Sequence, residues 1–199
     1  MIAAAHRGSG DLPMVFTLAD LKQRYRGDEQ AAMEAARRWL ASGQVRQVAP
    51  PRPVFMRLSG GDTPARSQLC LALRRAFPAV VVVGGSALWW QGISHEHDAL
   101  LECVVTEPVT GNSLPGVRLH ARPAAWLAAV SGVGGLRGEL HGLPVLSAEM
   151  AVADAAAFAD VWVPDRDALD WRCLSATAIT AAQQALAPLR PGPRRHRRH

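Results

Sequence analysis

Val82-Val83-Gly84-Gly85-Ser86 places a Gly-Gly-Ser turn after a run of β-branched residues. At the start of a helix, such a turn can offer backbone N–H groups to a phosphate. Magnesium-assisted nucleotidyl transfer would need more than that. It requires two carboxylates one residue apart on a following strand, because hard divalent ions take adjacent oxygen ligands on one rigid face. The stretch after the turn offers Asp98, but position 100 is Leu and the next carboxylate is Glu102. The paired ligands are missing, so no catalysis is expected, and the Gly-Gly pair reads as a packing and turn feature. His95, Glu96 and His97, with Cys103, raise a metal site next. Adjacent side chains point in different directions and no second ligand pair lies near in sequence, so a solvated loop is expected, with no metal and no cofactor. Cys70, Cys103 and Cys173 are odd in number and have no CxxC spacing. Three buried or half-buried thiols are expected rather than a zinc site or a disulfide framework. Ser147 and His141 have no sequence context for nucleophilic catalysis, and no P-loop or HExxH occurs.

Arginine is the other chemistry on offer. Residues 1–58 hold nine Lys/Arg and five Asp/Glu, a net of +4, and residues 59–189 hold eight and twelve, a net of −4. The last ten residues add five Arg and no acid, a net of +5. A basic N-terminal part on an acidic body fits a nucleic-acid reader joined to another module. Arg24 and Arg26 fall in a turn, Arg37 and Arg38 on a helix, and Arg46, Arg52 and Arg57 around a hairpin. A guanidinium offers a bidentate fork to guanine or phosphate.

These side chains need elements to hold them. Thr17 with Asp20 is a variant capping box that starts a helix at Leu18, running to about Tyr25. Asp28 can cap a second helix in which Ala32, Ala36, Trp39 and Leu40 share one face, closed by Gly43. Two β-prone stretches follow, residues 44–48 and 54–58, around Ala-Pro-Pro-Arg-Pro. Helix, tight turn, helix and hairpin is the order of a winged helix-turn-helix, with a short helix over residues 2–8 in front. One feature opposes phosphate contact: the second helix begins Asp28-Glu29-Gln30, and carboxylates repel phosphate. Either that end stays away from DNA, or the module binds protein only.

Ser59-Gly60-Gly61-Asp62 reads as the boundary, giving domains at 1–60 and 61–189 and a disordered basic tail over 190–199. In the second domain a helix is expected over 64–77 and a buried strand over 79–83. A short helix follows over 86–91, then strands over 100–105, 117–121, 136–140 and 143–146. Helices over 123–130, 148–158 and 174–186 complete an α+β chain with a mixed sheet. Tandem Trp89 and Trp90 are expected to put one ring into the core; with Trp162 they are the alternative protein anchors. The 199 residues are 49% hydrophobic and 20% charged, which suits a folded chain. No apolar run approaches the ~18 residues of a membrane span. The first residues have no apolar core of signal-peptide length, so a cytoplasmic, unprocessed protein is expected.

The chain resembles the AbiEi-type antitoxins of type IV toxin–antitoxin systems over roughly residues 14–175. The matching pieces are Arg37-Arg38-Trp39-Leu40 to Gly43, Ser86-Ala87-Leu88 with Gly92, and Gly116-Val117-Arg118-Leu119-His120. Gly142-Leu143-Pro144-Val145-Leu146-Ser147 follows, leading to Ala151, Asp154 and Leu169-Asp170-Trp171. The resemblance implies a winged helix-turn-helix before an α/β antitoxin domain. It also implies a repressor that binds inverted repeats at its own promoter and neutralises a nucleotidyltransferase-like toxin. Gly84, Gly85, Ser86, Leu88, Gly92, Asp154 and Asp170 would carry the family motif and the partner site. A protein-interaction module without DNA affinity, and a divergent nucleotidyltransferase-like enzyme, are the alternatives. The oligomeric state is open between monomer and dimer.

Overall fold

The computed structural model describes residues 12–48, 52–58, 64–109 and 114–191. The expected helix over 2–8, the boundary at 59–62 and the tail beyond residue 191 lie outside the described residues. The chain is mixed α+β and divides into two compact units, residues 1–78 with 110–115, and residues 79–109 with 116–199.

The first unit is built on a three-stranded antiparallel sheet. Strand β1 (Val15–Thr17) leads directly into α1 (Leu18–Arg24), then α2 (Glu29–Ala41), β2 (Val45–Gln47) and β3 (Val54–Arg57). The strand order is β1-β3-β2. Thr17 and Asp20 form the full capping box: the Asp20 N–H donates to Thr17 Oγ1, and the Thr17 N–H donates to Asp20 Oδ2. Gly27, at φ +88°, makes the tight turn between the helices. Phe16 stacks on Phe55 with centroids 5.5 Å apart and meets Trp39 edge-on at 6.3 Å. Leu21, Ala32, Ala35 and Val45 close this apolar core. Helix α3 (Arg66–Ala76) packs on β3 and β1, and Arg75 donates to the Val15 carbonyl at 2.5 Å. The compact division therefore falls after Pro78 rather than near residue 60, because the apolar face of α3 is buried in the first unit.

The second unit carries a mixed five-stranded sheet in the order β6-β5-β4-β8-β7. Its strands are β4 (Val81–Val82), β5 (Leu101–Val105), β6 (Val117–Ala121), β7 (Leu136–Leu140) and β8 (Leu143–Leu146). β4 runs antiparallel to β5 and parallel to β8, β5 and β6 are parallel, and β7 and β8 form an antiparallel hairpin. All five residues of β5 are buried, the pattern of a strand covered on both faces of its sheet. The helices are α4 (Gly84–Trp90), α5 (Trp126–Gly132), α6 (Ala148–Phe158) and α7 (Ala176–Leu186). α6 packs on α4 and α7, and its run of alanines permits close approach. Two 3-10 turns, Arg166–Ala168 and Trp171–Cys173, had no signature in the sequence. Among the described residues no helix is long and apolar enough to cross a membrane.

Candidate functional site

Charge is handled oppositely in the two units. In the first, the buried side of α2 carries Ala32, Ala35, Ala36 and Trp39, while Gln30, Glu34, Arg37, Arg38 and Ala41 are exposed. Arg26 is exposed in the turn, at φ 54°, and Arg24 is half-buried. The hairpin arginines are held closer to the body. Arg46 is half-buried on β2. Arg52 lies over the Phe77 ring, 5.2 Å from its centroid. Arg57 donates to the Leu12 carbonyl at 2.6 Å. The fold thus leaves Arg26, Arg37 and Arg38 outward and commits part of Arg52 and Arg57 to the unit's own packing.

The acidic start of α2 has a structural explanation. Asp28 is the N-cap, its Oδ1 accepting from the Ala31 N–H at 2.9 Å. Glu29 pairs with Lys22 of α1 at 2.8 Å. A carboxylate at that position satisfies an orphan N–H and complements the helix dipole, and it bridges the two helices.

In the second unit one cluster of charges points inward. Glu102 on β5 is fully buried. Its Oε1 accepts from Arg118 Nη1 at 2.5 Å, and its Oε2 meets His120 Nε2; both partners stand on the parallel neighbour β6. His120 Nδ1 lies 3.6 Å from Asp160, just past the end of α6. Arg122 then bridges two carboxylates. It forks onto Asp154 at 3.2 and 2.9 Å and onto Asp160 at 2.9 and 2.8 Å, with the Phe158 ring 4.0 Å away. Trp126 Nε1 donates to Asp154 at 2.7 Å. Burial alone would lower the His120 pKa, but the hydrogen bonds and charges of Asp160 and Glu102 outweigh it and raise it to about 9. Burial would raise the Asp160 pKa; its hydrogen bonds from His120 and Arg122 hold it below the usual carboxylate range instead. Every ion of this cluster has an opposite partner within the chain, which suits a lock between sheet and helices.

The motif residues fall mostly inside this unit. Gly84, Gly85, Ser86 and Leu88 are buried. A side chain at Gly84 would stand 2.1 Å from Val161 Cγ1, and one at Gly85 2.1 Å from the Trp162 ring. The Gly85 N–H donates to the Trp162 carbonyl at 2.8 Å. The Gly85 N–H is therefore taken by the Trp162 carbonyl, and the space beside the two glycines is filled by Val161 and Trp162. Ser86 Oγ accepts from the Glu102 N–H at 3.0 Å, fastening α4 to β5. Gly92 is exposed at φ +72°, closing α4. Asp154 is buried, and Asp170 caps the turn at Trp171 by accepting from the Arg172 N–H at 3.2 Å. Ser86, Leu88 and Asp154 thus have their side chains buried within the unit.

Asp98 accepts from the Leu100 N–H at 3.2 Å and lies 3.5 Å from Arg118, so it does not pair with Glu102 to form a ligand site. Among the described residues no group of three or more His, Cys, Asp or Glu could hold a metal ion. His95, Glu96 and His97 are exposed, with the His97 ring 5.0 Å from Trp89. Cys70 and Cys103 are buried, and burial pushes the Cys70 thiol up to about 11. Cys173 corrects the expectation of three buried or half-buried thiols. It is exposed, donating at 3.4 Å to Asp170, because the 3-10 turn that carries it lies on the surface. Trp89 is exposed and Trp90 half-buried; the core tryptophans are Trp39 and Trp126. An open depression of about 560 Å³ near His95, Asp167, Asp170 and Trp171 contains no nucleophile with a neighbouring base.

Sequence reasoning missed Arg122, Trp126 and Asp160 altogether. The one available signal was the polar alternation of Glu102 within an otherwise apolar strand, matched by Arg118, His120 and Arg122 at every second position.

No protein-family model matches the chain, and no curated protein matches it. Among solved structures, it is similar to the RV2827C protein from Mycobacterium tuberculosis. That likeness covers 92% of this chain and 69% of that one, with 18% identity and a TM-score of 0.55. At that identity the likeness concerns the fold alone.

Proposed function

We propose that this chain is a cytoplasmic DNA-binding antitoxin and transcriptional autorepressor. A winged helix-turn-helix in the first unit reads inverted repeats at its own promoter. The acidic second unit binds a nucleotidyltransferase-like toxin. The observation that carries the reading is α2, which packs its apolar side on a small β1-β3-β2 sheet and presents Arg37 and Arg38 outward. Helix, turn, helix and hairpin on such a sheet is the arrangement in which the second helix enters the major groove. Lys22 offsets the charge of Glu29, and Asp28 serves as the helix cap, so the acidic start of α2 has a structural role of its own. The internal pairing of Glu102 and Asp98 with Arg118 and His120 supports a role without catalysis.

The test is binding of the protein to the DNA upstream of its own gene, measured by anisotropy at ~50–100 mM salt, where phosphate contacts are strong. The expected result is affinity that falls steeply with salt and is lost in an Arg37→Glu, Arg38→Glu double variant. If the unaltered protein shows no salt-sensitive binding, the reading fails. Exposed Trp89 and Trp171 would then favour a module that binds protein only, seen as a copurifying partner without a DNA shift.

A further inference from the structure

The exposed face of α2 is not uniformly basic. Gln30, Glu34, Arg37 and Ala41 recur at helical spacing opposite the buried Ala32, Ala35, Ala36 and Trp39, and all four are exposed. Arg38 flanks this stripe. The acids at the helix start are accounted for, Asp28 by the cap and Glu29 by Lys22. Glu34 is different. It stands in the middle of the stripe and takes its hydrogen bond from Gln30 Nε2, at 3.4 Å, rather than from a cation. A carboxylate in the middle of a surface that approaches phosphates weakens sequence-independent binding, so it needs a compensating role.

Base edges provide one. In the major groove Glu accepts from the cytosine N4 amino group, Gln pairs with adenine N6 and N7, and Arg forks onto guanine O6 and N7. From Gln30 to Arg37 the helix advances about 10 Å, close to three base-pair steps. We propose that Gln30, Glu34 and Arg37 form a base-reading stripe for about three neighbouring pairs, one A·T, one C·G and one G·C, with Glu34 as the cytosine-specifying residue. The inference rests on the DNA-binding reading above and specifies what that surface recognises. Glu34 acts chiefly by exclusion: opposite the O4 of thymine or the O6 of guanine its carboxylate meets an acceptor and repels it. The long Gln30–Glu34 contact shows that the two side chains reach each other along the same face of the helix.

The experiment is selection from a randomised duplex pool by the full chain and by Glu34→Ala and Glu34→Gln, followed by affinity measurements on the selected sites. The unaltered protein is expected to select a motif containing a C·G pair whose replacement weakens binding roughly ten- to hundredfold. Glu34→Ala should lose that discrimination while binding random DNA as well as or better than before. Glu34→Gln should shift the preference at that position towards A·T. Glu34 is exposed, so unchanged thermal unfolding of both variants checks that the fold is intact. If the unaltered protein selects a motif and both variants select the same one with equal discrimination, the base-reading role of Glu34 is overturned and the DNA-binding reading survives. If the unaltered protein selects no motif at all, both are overturned.

Discussion

The first unit keeps its charges outside an apolar core, and the second carries charges through its core. In the first, Phe16, Leu21, Trp39 and Phe55 fill the interior and the arginines of α2 project from it. In the second, Glu102, His120, Arg122 and Asp154 are all buried, tying β5, β6 and α6 together. The lesson is about where a substitution should act. An exposed charge contributes little to stability, so it is free to serve binding. A buried charge is constrained by its partners, because removing one leaves the other desolvated and unpaired.

Asp154→Ala should produce the largest effect. It strands Arg122 and the Trp126 N–H, and a loss of about 3–5 kcal/mol is expected in chemical denaturation. A loss below about 1 kcal/mol would show that Asp160 alone satisfies Arg122, which would weaken the contrast between the units. Next is the pH dependence set by His120. Its folded pKa is about 9 against an ordinary 6.5, so the fold holds a proton that the unfolded chain releases. The stabilisation is complete below about pH 6.5 and is lost as pH rises through about 9, with a slope of at most ~1.4 kcal/mol per unit. Asp160 is 44% exposed, so screening narrows the pH window over which that slope acts. Asp160 gives the opposite limb: its depressed pKa contributes stability that is lost as pH falls below the carboxylate range. In His120→Gln the alkaline decline should flatten, and an unchanged melting profile between pH 6.5 and 9 would contradict the assignment.

Gly85→Ala comes third. The added methyl meets the Trp162 ring at 2.1 Å, so the segment around Trp162 must shift, at a cost of ~1–3 kcal/mol. Circular dichroism melts would record it as a lowered midpoint, and an unaltered midpoint would mean that the ring moves freely. The smallest stability effect belongs to Arg37→Ala with Arg38→Ala. Unfolding should change by less than ~0.5 kcal/mol, while on the proposed DNA-binding reading the salt slope of binding falls by about two. A pair that destabilised the fold as much as Asp154→Ala would abolish the distinction between the two units.

Much of the local structure was legible in the residues. The Thr17–Asp20 capping box, the Asp28 cap, the strand at 117–121 and the helix at 148–158 fall where the pattern predicts them, since each rests on contacts within a few positions. Strand β1 was not legible, because three residues carry no readable period and its pairing partner β3 lies some forty positions on. The helix at 64–77 was legible as a helix but not as part of the first unit. Its apolar face only says that it must be buried, and the β1–β3 edge that buries it is assembled by the fold.

The same division holds for chemistry. The outward stripe on α2 could be read from spacing alone, because helical geometry fixes which residues share a face. The Glu102–His120–Asp160–Arg122–Asp154 cluster could not. Its members come from β5, from β6 and the residue after it, and from α6 and the residues after it, with paired members 16 to 40 positions apart. Sequence by itself determined the elements and the side of each that must be covered, since those follow from short-range hydrogen bonding and apolar periodicity. Only the tertiary structure decided the strand order β6-β5-β4-β8-β7, and with it which charges face one another, because that pairing depends on how distant segments close around a common core.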